Sequence, residues 1–188
     1  MRSTALAAVA LASIGLLASC ATPARFERGA ADQALVFQAE GRLSVTAPDD
    51  VEPSRSTNLS GKFIWIERTG STELGLSSPL GDTLARLMIE PGRVELRTPG
   101  NTELGNTPEE LMSRRLGVEL PVSGLRYWLR GANRADQMLA PQGFDEDGWR
   151  ISYPSMDASG KPRQVRLERD LPRPVQVRIV VDQWGGAS

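Results

Sequence analysis

Alternating apolar and polar residues recur in short segments along most of this chain, and the pattern leaves few folds open to it. Successive side chains of a β-strand point to opposite faces, so a segment with this alternation presents one apolar face. Glycine and proline mark turns between the segments. Several short strands joined by turns are typical of an antiparallel sheet or barrel, so the chain is predicted to be mainly β.

The alternation is clearest in the first predicted strand, where five residues fall on one face: Phe37, Ala39, Gly41, Leu43 and Val45. The last predicted strand repeats it with three valines and an isoleucine. The predicted strands cover residues 35–45, 61–68, 73–77, 83–90, 93–97, 149–153, 164–169 and 175–181. Residues 49–58 are polar, with Pro48 directly before them and Pro53 within them, which predicts a loop.

Two short helices are predicted between these groups of strands. Residues 107–117 begin with a capping threonine, continue with a proline and a glutamate, and end at a glycine. Residues 121–131 place Leu125, Trp128 and Leu129 on one face before a closing glycine. Helices this short need an apolar surface to pack against, so we expect them to cover the sheet.

The N-terminus has the pattern of a secretory signal. Residues 1–19 carry one arginine, then a short apolar run, then small residues before Cys20. The apolar run is too short to span a bilayer. Leu-Ala-Ser-Cys resembles the lipobox of bacterial lipoproteins, although an ordinary signal with a chance cysteine is the alternative. We predict a signal peptide over 1–19, lipid on Cys20, a tether over 20–34 and a single domain over 35–188.

Composition excludes several classes of function. Without the signal, 21 basic and 23 acidic residues give a net charge of −2, and no basic run stands out, which argues against a nucleic-acid partner. Histidine is absent, which removes the usual general base and most zinc sites. A single cysteine allows no internal disulfide. We expect no cofactor and no metal.

Carboxylate chemistry is the enzymatic possibility that remains. Asp145, Glu146 and Asp147 lie together ahead of a glycine. They could form an acid–base pair or a calcium loop, or simply a polar turn. Asp-Gly between two apolar segments is a strong hairpin signal, so the turn is favoured.

Four aromatic residues are candidates for the inner surface of the sheet: Trp65, Trp128, Trp149 and Tyr153. A strongly curved sheet must have its inner side filled, either by its own side chains or by a ligand. Spacing along the chain does not distinguish a packed core from a lined cavity, so both readings stay open.

Several segments together resemble the LolB family of outer-membrane lipoproteins. The resemblance covers nearly all of the chain after the signal, in order, and the lipobox adds to it. The matching segments are residues 37–45, 61–65, 76–83, 120–122 with Leu125 and 128–131, 143–144, 147–149 and 181–184.

The resemblance implies a half-open antiparallel β-barrel with a short helical lid over an apolar cavity. Such a protein accepts the acyl chains of lipoproteins from a soluble periplasmic LolA-type carrier and inserts them into the inner leaflet of the outer membrane. It uses no nucleotide, is not an enzyme and is expected to be a monomer. Ala21 after the cysteine matches an outer-membrane address. The residues that we assign to the cavity are Phe63, Trp65, Leu125, Trp128, Leu129, Trp149, Ile151 and Tyr153.

The resemblance also gives a role to one loop. Pro79 and Gly81 predict a turn that presents Leu80 outward, although the leucine of a tight connection could instead fold inward. In the family, the leucine at the matching position is exposed and needed for membrane insertion. We therefore expect Pro79, Leu80 and Gly81 to form a membrane-insertion loop.

Two other classes of function remain open. One is a structural lipoprotein that scaffolds an envelope complex without carrying lipid. The other is a cell-wall hydrolase built on the three carboxylates. Arg42, Arg130 and Arg150 could face a cavity mouth or an acidic partner, but a solvated strand face explains such charges more simply.

Overall fold

The computed structural model describes residues 33–48, 56–117 and 120–186. The predicted signal over 1–19, Cys20 and nearly all of the tether lie outside the described residues. Among the helices of the described part, none combines the length and apolar character that a bilayer span requires.

The described strands form one antiparallel sheet of ten strands in the order β6-β5-β4-β3-β2-β1-β10-β9-β8-β7. The two edge strands, β6 and β7, do not pair with each other, so the sheet is not closed. The strands are β1 Leu35–Pro48, β2 Ser56–Arg68, β3 Ser71–Ser77, β4 Thr83–Glu90, β5 Arg93–Thr98, β6 Asn101–Gly105, β7 Phe144–Glu146, β8 Trp149–Met156, β9 Pro162–Arg169 and β10 Val175–Gly185.

The predicted alternation determines which face of each strand is buried. In β10, every second residue from Val175 to Val181 is buried, whereas Gln176 and Arg178 between them are exposed. The first strand follows the same rule, and only Gly41 of its five predicted inward residues is half-buried. Burying one such aliphatic side chain stabilises a fold by roughly 1.5–3 kcal/mol, so this face supplies most of the core.

Residues 56–58, predicted as the end of a loop, were assigned wrongly, because β2 begins at Ser56. Asn58 lies opposite Thr46, and their side chains are joined by a 2.9 Å hydrogen bond between Oγ1 and Oδ1. Backbone pairing with β1 extends the strand here despite its polar composition. The strand β6 was missed for a related reason, since it lies at a sheet edge and has no apolar face.

The helical insert consists of α1 Pro108–Leu116, α2 Val122–Trp128 and the turn that follows α2. The cap of α1 is confirmed: Thr107 Oγ1 accepts a 3.2 Å hydrogen bond from the Glu110 amide, and Gly117 ends the helix in a left-handed conformation. The second helix ends at Trp128, before the predicted Gly131, which lies in the turn.

Helices and sheet share one hydrophobic core. Leu111, Met112 and Leu120 of the insert region are at most 1% exposed, and they belong to the same cluster as the inward residues of the strands. The backbone of Gly124 lies directly under the Trp128 ring, since a Cβ there would approach a ring carbon to 2.4 Å. The insert therefore packs tightly on the inner face of the sheet. The apolar spacing had predicted packing against an apolar surface without distinguishing a filled interior from a cavity.

Candidate functional site

The eight residues assigned to an acyl-chain cavity lie together in the interior. All are at most 6% exposed, and all belong to the hydrophobic core cluster. Trp128 and Trp149 also border an open pocket, and Trp65 borders a smaller one of about 160 Å³. In this conformation their side chains fill the interior, so their role as an acyl-chain site stays a prediction.

The larger pocket has a volume of about 580 Å³ and lies between the helical insert and the β7–β8 hairpin. This volume is in the range of small-molecule sites. Its lining combines apolar and charged residues. The lining residues are Glu109, Glu110, Ser113, Leu120, Pro121, Ser123, Trp128, Arg134, Asp147, Trp149 and Arg169.

One end of the helical insert is tied to the sheet by a buried carboxylate. Glu67 is 3% exposed, and its Oε2 accepts hydrogen bonds from Trp65 Nε1 at 3.3 Å and Thr72 Oγ1 at 2.8 Å. Its other oxygen accepts a hydrogen bond from the guanidinium of Arg126 on α2. A buried carboxylate needs such partners to offset its desolvation. These contacts therefore hold α2 against β2.

Sequence reasoning missed this contact. The signal was present, because Glu67 continues the series of inward positions that begins at Phe63 and Trp65. A carboxylate at an inward position requires a cation nearby. The chain distance of 59 residues to Arg126 hid which cation it would be.

A second set of polar contacts ties the other end of α2 to the β7–β8 hairpin. Trp128 Nε1 donates a 2.7 Å hydrogen bond to Glu146 Oε2, and Glu146 also accepts from the Arg134 amide. The Tyr153 hydroxyl donates a 3.0 Å hydrogen bond to the Trp128 carbonyl. Burial, aided by the negative charge of Glu146, raises the pKa of Tyr153 well above its usual range, so the phenol stays protonated.

The three neighbouring carboxylates face different partners. Asp145 is exposed and lies 3.9 Å from Arg150, Asp147 pairs with Arg134 at 2.5 Å, and Glu146 is half-buried under α2. Asp147 and Gly148 both have positive φ, which confirms the predicted hairpin turn. No group of three or more metal-binding side chains occurs within residues 33–48, 56–117 and 120–186.

The loop between β3 and β4 presents Leu80 to solvent. Leu80 is 93% exposed, and Gly81 has a φ of 105°. The amide of Gly81 donates to the Ser78 carbonyl at 2.9 Å, and the amide of Asp82 donates to Ser78 Oγ at 3.1 Å. The outward direction of Leu80 is therefore as predicted and is fixed by hydrogen bonds across the turn.

The three arginines considered at a cavity mouth have acidic partners within the chain. Arg42 pairs with Asp182 at 3.0 Å, and Arg130 pairs with Asp136 at 2.8 Å. Arg150 lies at 3.8–4.0 Å from three carboxylates: Asp145, Glu168 and Asp170. Arg42 and Arg150 are mostly exposed, so these two pairs contribute little to stability.

An unclosed antiparallel sheet, packed on two short helices and carrying an exposed apolar loop, defines a half-open β-barrel with a helical insert. A family model described as "Outer membrane lipoprotein LolB" matches residues 36–184. The chain belongs to the LolB family of outer-membrane lipoproteins.

Known relatives span most of the chain. The outer-membrane lipoprotein LolB of Bordetella petrii is 34% identical, over 89% of this chain and 87% of that protein. Its counterpart in Cupriavidus taiwanensis is 35% identical, over 96% of this chain and 97% of that protein. A solved LolA superfamily protein from Nitrosomonas europaea aligns with a TM-score of 0.41 and 8% identity, over 84% of this chain and 88% of that one.

Proposed function

We propose that this protein is a receptor, anchored in the outer membrane, for other lipoproteins. It accepts them from a LolA-type periplasmic carrier, shields their acyl chains inside the sheet and releases them into the inner leaflet of the outer membrane. The observation that carries the proposal is the apolar interior of an unclosed sheet, covered by helices that a few polar contacts hold in place. The LolB family membership supports the same reading.

Acyl chains need such a compartment because water excludes them. The interior is filled by side chains in this conformation, so cargo must displace the helical insert. Two sets of contacts would break, at Glu67–Arg126 and at Trp128–Glu146. The backbone hydrogen bonds of the sheet would stay intact, because the sheet is already open between its edge strands β6 and β7. Opening is therefore an exchange of apolar contacts within the protein for apolar contacts with cargo.

The remaining parts of the proposal concern the two ends of the transfer. Residues 1–19 direct export, and lipid on Cys20, followed by Ala21, holds the domain over 35–188 at the outer membrane facing the periplasm. Leu80 enters the bilayer and brings the cargo to it. Transfer follows the relative affinities of carrier, receptor and bilayer, so it needs neither a cofactor nor catalysis.

The test is transfer of cargo between purified proteins. The mature chain with Cys20→Ala, which keeps every described residue, is mixed with a complex of carrier and lipoprotein. We expect the lipoprotein to move from the carrier to this protein, and onward to vesicles when these are added. A purely structural lipoprotein would leave all of the cargo on the carrier, and that result would defeat the proposal.

A further inference from the structure

The Leu80 loop, residues 78–82 between β3 and β4, lies beside a groove on the outer face of the sheet. The groove has a volume of about 360 Å³, and its lining includes the apolar side chains of Pro79 and Val180. Pro79 belongs to the loop itself, so the groove directly adjoins the exposed Leu80. Any surface that receives Leu80 would therefore also face the groove.

The position of the loop against the groove is fixed by a glycine. A Cβ on Gly61 would lie 2.1 Å from the Ser77 carbonyl oxygen, so only a glycine lets the end of β3 approach β2 this closely. The Leu80 loop begins at Ser78, directly after this contact. The close approach of the two strands therefore holds the start of the loop beside the groove.

The groove carries positive charge that is not balanced. Lys62 lies directly opposite Arg42, and Arg178 lies directly opposite Arg166 in the sheet. Like charges in such positions destabilise a sheet. Arg42 pairs with Asp182 at 3.0 Å, whereas Lys62 and Arg178 form no ion pair with any residue that the structure describes. Two exposed cations therefore face the groove without a partner among the described residues.

We propose that this groove binds the phosphate headgroup of an anionic phospholipid while Leu80 enters the bilayer. The inference rests on the proposed function, because it assumes that Leu80 meets a membrane, and it names the lipid chemistry recognised there. An apolar side chain inserted at the interface places the adjacent groove at the depth of the lipid phosphates. Lys62 and Arg178 supply the complementary charge, and the apolar lining contacts the glycerol and upper acyl carbons.

The test measures partitioning of the mature Cys20→Ala protein onto vesicles of phosphatidylcholine, with or without phosphatidylglycerol. We expect phosphatidylglycerol to strengthen binding and added salt to weaken it. Lys62→Gln with Arg178→Gln should weaken binding to the anionic vesicles by roughly 25-fold, at about fivefold for each charge. The matched control, Arg114→Gln with Arg150→Gln, removes two exposed charges elsewhere and should leave binding unchanged.

Equal partitioning of the Lys62/Arg178 variant and the parent would overturn the inference, and so would binding that does not respond to salt. Cargo acceptance from the carrier is measured separately. If the variant lost acceptance but kept vesicle binding, the groove would serve a protein partner, which also overturns it. Failure of the parent protein to accept cargo would defeat the proposed function, yet the vesicle measurement would still decide the inference.

Discussion

Leu80 is the most exposed large apolar side chain among the described residues, and Leu171 is the next. Leu80 stands on a turn braced by its own hydrogen bonds, so exposure costs the fold no rearrangement. An exposed leucine has no stabilising contact to lose on substitution. Its replacement therefore separates a role in function from a role in folding.

We predict that Leu80→Asp leaves stability and acceptance of cargo unchanged but reduces delivery to vesicles by at least about tenfold. The reason is that a carboxylate at this position must enter the apolar region of the bilayer, which costs more than the ~1.4 kcal/mol that corresponds to tenfold. The measurement is the fraction of labelled lipoprotein recovered with vesicles.

Leu80→Met keeps an apolar side chain and should deliver normally. Leu171→Asp places the same new charge at another exposed leucine and should also deliver normally. Normal delivery by Leu80→Asp would remove the insertion role from the loop.

The second residue-scale prediction concerns Glu95, a 4% exposed carboxylate between two arginines of the same strand. Hydrogen bonds from Arg93 first, and then from Arg97, outweigh desolvation and hold the pKa of Glu95 below its usual range. A lowered pKa in the folded state stabilises the fold above the usual carboxyl pKa. That stabilisation disappears as the pH falls through the lowered pKa.

Glu95→Gln should therefore lower the free energy of unfolding at neutral pH by about 1–2 kcal/mol, allowing for the exposure of both arginines. The difference between variant and parent should shrink towards zero in acid, below the usual carboxyl range. Urea unfolding at a series of pH values measures this. Asp145→Asn, at a carboxylate that is 80% exposed, is the control and should leave the free energy of unfolding at neutral pH close to that of the parent. A difference for Glu95→Gln that persisted in acid would contradict the explanation.

At the scale of elements, the helical insert is held by few polar contacts relative to the long strand ladders beside it. The side chain of Arg126 is 44% exposed, whereas its partner Glu67 is buried. If the ion pair breaks, water can therefore replace the lost contact for the arginine but not for the carboxylate. Loss of the cation would leave a buried carboxylate with two neutral donors. The contact thus favours the packed position of α2 without fixing it permanently.

We predict that Arg126→Gln opens the insert more easily. Amide hydrogens of α2 should exchange roughly tenfold faster, as expected from the loss of about 1–2 kcal/mol at a charged hydrogen bond. The central strands β1 and β10 should keep their protection, because opening leaves the sheet paired. An acyl-chain fluorescent probe should bind the variant more tightly than the parent.

Arg114→Gln on α1 is the matched control, since Arg114 pairs with an exposed glutamate on the surface. Its exchange and probe binding should resemble those of the parent. If Arg126→Gln exchanged no faster than this control, the Glu67–Arg126 contact would not govern opening.

At the scale of the whole molecule, much of the sheet was predictable because period-two burial is strong where one face is apolar, as in β10. The strand β6 escaped because an edge strand with polar residues on both faces lacks that signal. The cap of α1 was predictable from three local residues. Whether the interior holds a cavity was not predictable. Spacing along the chain tells which side chains point inward, but it does not tell whether the side chains of facing elements meet.

The features of the candidate site also differ in how far the sequence could predict them. Local proline and glycine chemistry predicted a turn at residues 79–81 but left the direction of Leu80 open, and the family resemblance favoured the outward direction. The contact between Glu67 and Arg126, and the groove that Lys62 and Arg178 both line, each bring distant segments together. Only the order of strands in the sheet brings such residues together, and no local pattern encodes that order.

The pairing of the first strand with the last has a consequence for how the protein matures. Gln38 lies opposite Gly185, so this ladder closes a loop of nearly the whole domain at the centre of the sheet. Contacts so distant along the chain carry a large closure entropy and form slowly. Until the C-terminal strand pairs with it, β1 lacks a neighbour on one side and exposes unpaired backbone groups that can pair with another chain. A chain that emerges N-terminus first thus needs protection from aggregation until its last residues are free to pair.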